Sequence, residues 1–536
     1  MPYRIALLVL LLISVPYFTA WLAAGSGHTF GGFLLNPTDG NSYLAKMYEG
    51  WRGDWRFTLP YTAATSHGAY LFTFYILLGH LARLLGLPLI GVFHLARLLA
   101  TALLLWVLWQ FLQNLNPQGK YNRLVYALSC LGLGMGWLAF PFGFITSDFW
   151  VAEAYPFLSA YTNPHFVLGL ALLVWLLTIR PAASDTPQPQ RLKAWVGAAL
   201  VLLASAVLGS LSPFAVVLGL AILGFVLVLR VFDGWLSLHS SPAGFSGLVG
   251  SLRADRPFRL VLVRLVCLLL GGASVVLYSV LALNLDPLLA VWNAQNLTPA
   301  PPAWDLLLAF SPALLLACLG LAQVWRRKEI QIQIVWVWAV MALGMVYLPF
   351  GLQRRFLVGL AVPLTALAGF ALEWLENRVG QRVRSIAIAA LVLTFPTLLL
   401  VLLVGQFGAL ARDPFLYLTR GETQAFSWVR SNTAADALLL AAPQTGLYIP
   451  AHTGRRVLYG HPFETVDAEV EQTAVTSFFA NAAANPLAAQ DFLAKRKIDY
   501  VFYGPREQLL GHMPGLPELS VIYSQAGVTI YRVAGP

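Results

Sequence analysis

In a chain that is 58% hydrophobic and only 11% charged, the stretch NPTDGNSYLAKMYEGWRGDW, residues 36–55, stands out as polar. Asn36-Pro37 reads as a helix start, because proline at the first helical position forfeits no hydrogen bond and asparagine caps free N–H groups. On the helix that follows, Asp39, Ser42, Lys46 and Glu49 share one face. A carboxylate at the head of such a face can act as a general base toward a hydroxyl. Equally, Asp39 can be the acidic partner of a capping box, three residues beyond Asn36. The spacing leaves both readings open.

Three other stretches carry chemistry-bearing side chains. Loop 143–162 holds Asp148 and Glu153 without a compensating base, and Asn163-Pro164-His165 opens the next apolar segment. These are ligand-positioning groups or, as the plainer alternative, solvated loop acids and a helix-start histidine. The short turn LPFGLQRRF places Arg354 and Arg355 together, basic side chains that can serve a ligand. TGLYIPAHTGRRVLYGHPFET, with Arg455, Arg456, His461 and Glu464, is a set of sugar-contacting groups or, as the plainer reading, a solvated loop of a small domain.

The elements that must position these groups follow from composition. So apolar a chain of 536 residues reads as a polytopic membrane protein. Hydropathy proposes about eleven transmembrane helices, near 4–24, 88–112, 124–142, 163–179, 194–209, 211–230, 259–283, 305–325, 332–349, 356–374 and 386–405. Basic residues cluster at Lys120/Arg123, Arg180/Arg191/Lys193, Arg230 to Arg259, Arg326 to Lys328 and Arg378 to Arg384. Placing these clusters in the cytoplasm puts the N-terminus inside and everything after 406 outside. The apolar stretch 68–86 then reads as a re-entrant or interfacial helix, and the outer-face loop 25–87 carries juxtamembrane helices. Lys46, Arg52, Arg56, Arg354 and Arg355 fall on the outer side against the rule, which marks them as ligand-serving or as exceptions to a statistical trend. The net charge of +10 is scattered between spans, which argues against a nucleic-acid partner. Cys130, Cys267 and Cys318 lie in apolar segments, so neither a disulfide framework nor a zinc site is expected. The loop 233–258 is Ser/Gly-rich and reads as a connector.

Residues 1–405 therefore form the membrane domain, and 406–536 a small α/β soluble domain on the outer side. In the latter, helices are expected at 421–432, 467–483 and 486–496, and strands at 437–443, 456–460, 499–504, 519–524 and 528–533. No HExxH, CxxC pair, GxSxG or Walker A occurs, and no nucleotide fingerprint, so a nucleotide donor is not indicated. A transporter or flippase of a lipid-linked glycan is the alternative class. It calls for ionisable groups at mid-span, whereas here they gather at one membrane surface.

The arrangement resembles the GT-C superfamily of integral-membrane glycosyltransferases, bacterial members related to the protein O-mannosyltransferase and aminoarabinose transferase group. The matching pieces are Asp39 in NPTDGNSYLAKM, the HLARLL run at 94–99, the SDFW…E…NPHF loop and GLQRRF. The first loop carries a lone Asp39 where an adjacent acidic pair is commoner, so Glu49 or Asp54 is a candidate to share its role. The resemblance implies transfer of a sugar from a polyprenyl-phosphate donor to a hydroxyl of a lipid, glycan or protein acceptor, at the outer face of a bacterial cytoplasmic membrane. It implies Asp39 as base and Arg354 or Arg355 at the phosphate, with Lys46 or Arg97 assisting. Asp148, Glu153 and His165 would position the acceptor or a divalent cation, and membrane lipids would surround the whole.

Overall fold

The computed structural model describes residues 1–179, 191–238, 250 and 252–534; Arg180 and residues 239–249 and 251 of the connector 233–258 lie outside the described residues. The chain begins with α1 (Tyr3–Ala23), α2 (Pro37–Arg52), α3 (Thr73–Leu85) and α4 (Leu89–Leu115). It divides into two compact units: Met1–Ser14, Ala96–Tyr278 and Thr298–Val404 form one, and Val15–Leu95, Ser279–Leu297 and Gly405–Pro536 the other. Residues 25–87, which hydropathy attaches to the membrane domain, thus pack in the same unit as the C-terminal residues.

All eleven apolar segments contain helix, as a backbone in lipid must satisfy its own N–H and C=O groups. Among the described residues five helices are long and apolar enough to cross a membrane, or up to seven if each of two bent pairs is one span. The bent pairs are Asn122–Leu131 with Gly136–Phe142, at 50°, and Ala303–Phe310 with Ala313–Val324, at 86°. Both correct the continuous spans expected at 124–142 and 305–325. The first breaks at Gly132 and Gly134, and the second at Pro312, which lacks an N–H to continue the ladder. The stretch 68–86 holds α3, whose 13 residues leave it among the shorter apolar helices.

In the first unit the helices Ala313–Val324 and Ala361–Val379 lie in close contact: a Cβ on Gly320 would stand 2.0 Å from the Leu367 carbonyl oxygen. Ser129 joins Thr365 by a hydroxyl hydrogen bond of 2.5 Å, tying Asn122–Leu131 to the same pair.

In the second unit a short antiparallel ladder joins β1 (His28–Phe30) to β2 (Tyr417–Thr419). A five-stranded sheet has the order β4-β3-β5-β7-β6. Its strands are β3 (Leu438–Leu440), β4 (Arg456–Val457), β5 (Tyr500–Tyr503), β6 (Leu519–Gln525) and β7 (Val528–Val533). β3 pairs in parallel with β4 and β5, while β7 runs antiparallel to β5 and β6. Alternate side chains of β3 enter opposite cores: Leu439 joins Phe426, Val429 and Phe502, whereas Leu438 and Leu440 join Phe478, Phe479 and Leu493. That two-sided burial explains why ALLLAA reads as an unbroken apolar run. The helices expected at 421–432, 467–483 and 486–496 occur as Arg420–Asn432, Ala468–Asn481 and Pro486–Lys495. Pro443–Thr453 and Pro505–Leu510 are additional helices; each uses its proline at the first helical position.

α2 and α3 meet through two glycines. A Cβ on Gly50 would lie 1.9 Å from the Ile76 carbonyl oxygen, and one on Gly79 1.9 Å from that of Met47. A methyl group at either place must push the helices apart. Gly79→Ala is expected to cost about 1–3 kcal/mol, read as a fall in the thermal unfolding midpoint of the full chain. An unchanged midpoint would show that α2 and α3 are not locked together.

Candidate active site

The left-handed backbone of Asn36 (φ 52°, ψ 58°) starts α2. Its side-chain oxygen accepts from the Asp39 N–H at 3.5 Å, and its amide donates to Asp39 Oδ2 at 2.5 Å. The cap and the carboxylate therefore grip each other. The other carboxylate oxygen, Oδ1, faces Nε2 of His461 at 3.6 Å. The Asp39 side chain remains 35% exposed, whereas His461 is buried.

The turn Gly460–Thr465 presents His461 in one orientation. Its Nδ1 accepts from the backbone N–H groups of Phe463 and Glu464, both at 3.1 Å. A neutral imidazole that accepts at Nδ1 carries its proton on Nε2, the atom facing Asp39. Thr465 closes the turn by accepting from the N–H groups of Gly460 and His461. The helix Pro287–Gln295 braces it from outside: Trp292 Nε1 donates to the Phe463 carbonyl at 2.8 Å, and Gln295 Nε2 to that of Thr465 at 2.6 Å.

One and two turns further along α2, Ser42 and Lys46 meet Glu464. Lys46 Nζ lies 2.6 Å from Glu464 Oε1 and 2.5 Å from Ser42 Oγ, which also donates to Glu464. Burial by itself would raise the Glu464 carboxyl, but Lys46, His461 and Ser42 hold it below its ordinary value. The rings of Phe72, Phe57 and Tyr43 surround the ammonium at 4.4, 5.2 and 5.4 Å. Lys46 is 1% exposed, so it braces the site's wall and offers little surface to a ligand.

Glu49 ends the polar face. Its Oε1 accepts from the Thr58 N–H at 3.1 Å and the Thr58 hydroxyl at 2.5 Å. Burial nevertheless pushes this carboxyl up from 4.5 to about 7. A cavity of about 370 Å³ lies beside it, lined also by Arg52, Asp54 and Arg456.

The remaining expected site residues fall in the other unit. Arg97 is buried, and donates to the carbonyls of Ile13, Ala160 and Tyr161. Asp148 accepts from the N–H groups of Gly134 and Gly136 at 3.1 and 2.9 Å and from the Thr146 hydroxyl at 2.6 Å, and burial raises its carboxyl. Glu153 and Arg355 pair at 3.4 Å, and the Arg354 guanidinium lies 4.4 Å from the Trp150 ring. The fold therefore gathers Glu153, Arg354 and Arg355, while the His165 ring lies 4.0 Å from Phe166. Among the described residues no three His, Cys, Asp or Glu side chains group as a metal site.

His461 and Glu464, which the sequence reading placed in a solvated loop, belong to this site. The stretch 445–465 is not a solvated loop: Arg455, His461 and Glu464 are all buried, and Arg455 spends its guanidinium on the carbonyls of Arg430, Thr433 and Thr453. The one local signal was His461 and Glu464 three residues apart, a spacing with no meaning outside the turn that uses it.

Glu49 gives a direct test of this electrostatic picture. Its folded pKa lies above its unfolded one, so the stability it contributes is full below about pH 4.5 and lost as pH rises through about 7. Glu49→Gln, which imitates the protonated acid, should remove that loss. The stability–pH curves of the two proteins are expected to diverge by roughly 2–3 kcal/mol between pH 5 and 8, measured by chemical denaturation. Parallel curves would mean that Glu49 is solvated.

The sequence matches no family model and no curated protein. Solved structures do match. The Archaeoglobus fulgidus oligosaccharyltransferase tethered with an acceptor peptide superposes with a TM-score of 0.54 at 14% identity, over 92% of this chain and 69% of that one. ArnT from Cupriavidus metallidurans bound to undecaprenyl phosphate gives 0.47 at 12% identity, over 98% and 97%. On the first of these likenesses, the chain shares the fold of that oligosaccharyltransferase.

Proposed function

We propose that the chain is a glycosyltransferase that moves a sugar from a polyprenyl-phosphate donor to an acceptor hydroxyl at the outer face of a bacterial cytoplasmic membrane. The observation that carries this reading is the state of Asp39. It is held at Oδ2 by Asn36 and faced at Oδ1 by His461, yet more than a third of its side chain meets solvent. Glu464 and Asp148, by contrast, are buried and committed to Lys46 and to backbone N–H groups. A base must be both oriented and reachable by the proton it takes, and Asp39 meets both conditions.

In this reaction the acceptor oxygen bonds to the anomeric carbon as the bond from that carbon to the phosphate oxygen breaks. The hydroxyl proton passes to Asp39, and the polyprenyl phosphate leaves with the electron pair. The departing charge calls for fixed cations, and Arg354 and Arg355 are the candidates. Lys46 acts indirectly, by securing the turn that carries His461. Asp39→Asn keeps the contact with Asn36 while removing the base. Transfer from a polyprenyl-phosphate sugar in proteoliposomes is expected to fall by about 10² to 10⁴, with insertion and the unfolding midpoint retained. Full activity in this variant would rule Asp39 out as the base.

We further infer eleven spans, an inside N-terminus and an outer location for residues after 405, from the placement of basic clusters. Leu509, largely exposed in the helix Pro505–Leu510, gives the test. In right-side-out vesicles Leu509→Cys should react with an impermeant maleimide. Reaction only after permeabilisation would invert the topology.

A further inference from the structure

Arg256, Leu260 and Arg264 recur every fourth residue along one stripe of the helix Arg256–Cys267. That helix opens Arg256–Leu285, at 30 residues the longest candidate span among the described residues. An arginine eight residues into an apolar span is costly unless its charge is answered. Part of the answer is local: Arg264 donates through one terminal nitrogen to the carbonyls of Trp175 and Leu176 at 3.0 and 2.5 Å. These are among the last carbonyls of the helix Pro164–Leu177, and that of Trp175 also accepts from the Thr178 N–H at 3.2 Å. The guanidinium also lies 5.8 Å from the Trp175 ring.

The stripe lines a cavity of about 340 Å³. Its other walls are Trp106, Val107 and Gln110 of α4, and Trp175 and Thr178 at the C-terminal end of the helix Pro164–Leu177. The volume falls in the range of built ligand sites. Among the described residues its lining holds two guanidinium groups, an amide, a hydroxyl and two indoles, and no carboxylate. The nearest acidic residue in sequence, Asp255, caps the helix by accepting from the Phe258 N–H.

The surroundings say what kind of anion suits it. Trp106 is 46% exposed, and Leu103, Leu262 and Val263 nearby are exposed apolar side chains. On a chain of this composition such a surface faces acyl chains, with indoles at the level of the headgroups. A basic pocket between spans, rimmed by tryptophan, is the setting in which lipid headgroups are recognised. We propose that this cavity binds the phosphate headgroup of an anionic phospholipid, with Arg256 and Arg264 on the phosphate and the acyl chains along α4 and the Arg256 helix. The site plays no part in the sugar transfer proposed above. On the topology inferred from the basic clusters it belongs to the cytoplasmic leaflet.

The test uses the full chain in detergent micelles with three probes: phosphatidylglycerol, phosphatidylcholine and inorganic phosphate. Bound lipid is counted by native mass spectrometry, alongside the thermal unfolding midpoint. Phosphatidylglycerol should be retained and raise the midpoint, and added salt should weaken it. Arg256→Gln should weaken its binding about fivefold, and the further change Arg264→Gln more, leaving phosphatidylcholine unaffected. Should Arg264→Gln fail to fold, Arg256→Gln alone and with Arg264→Lys carries the comparison. Equal retention of phosphatidylglycerol by the native chain and Arg256→Gln would overturn the proposal, as would equal retention of phosphatidylcholine. Stabilisation by inorganic phosphate as strong as by the lipid would make this a free-anion site and overturn the lipid assignment.

Discussion

The buried pair Lys46–Glu464 is the constraint on which the candidate active site depends. Two ions removed from water must be paired closely and have their remaining valences answered, or the burial costs more than the attraction returns. Here Ser42 donates to the carboxylate, three aromatic rings face the ammonium, and the partners lie 418 residues apart in the chain. Removing one partner of such a pair typically costs about 3–5 kcal/mol, because the other is left charged and alone. The pair therefore fixes α2 against the turn Gly460–Thr465. That registration brings Nε2 of His461 opposite Asp39, two turns earlier on the helix.

Seen this way, the charged residues of the chain divide by what they spend their hydrogen bonds on. Arg97, Arg455 and Arg264 cap backbone carbonyls, and Asp148 and Glu49 accept backbone N–H groups. In a chain so poor in charge these groups substitute for water at breaks in the secondary structure, where carbonyls and N–H groups have lost their ladder partners. Asp39 is different. It is an oriented carboxylate with solvent-facing surface, held at one oxygen by Asn36 and faced at the other by His461. The two readings that spacing alone left open for Asp39 are thus compatible, since capping α2 is also what orients the carboxylate.

The membrane helices and most of the C-terminal elements were legible in the amino-acid order. Apolar runs in lipid have no stable alternative to helix, and period-two runs such as VTIYRV announce their strands. The breaks were less legible. Gly134 and Gly136 lie in a run that hydropathy treats as one span. The structure needs both glycines, since a Cβ at Gly134 would meet the Ala309 carbonyl at 1.9 Å and one at Gly136 the Thr146 hydroxyl at 1.9 Å. The partners that demand a small residue lie elsewhere in the chain, so the local pattern gave no warning. The ladder of β1 with β2, between residues 28 and 419, was invisible for the same reason.

What the amino-acid order determined alone is the inventory: a chain rich in apolar helices with α/β elements toward its C-terminal end, a polar helix headed by Asn36 and Asp39, and a pair of adjacent arginines. These follow from hydropathy, helical period and capping chemistry, all of which act over a few residues. Only the tertiary structure decided which polar groups are spent and which remain reachable. His461 and Glu464 read as solvent-facing from their neighbours and are buried against α2. Lys46 reads as a ligand group and is held inside an ion pair. Burial and pairing are set by contacts between segments hundreds of residues apart, and no local pattern encodes a carboxylate's distance from a lysine on another element.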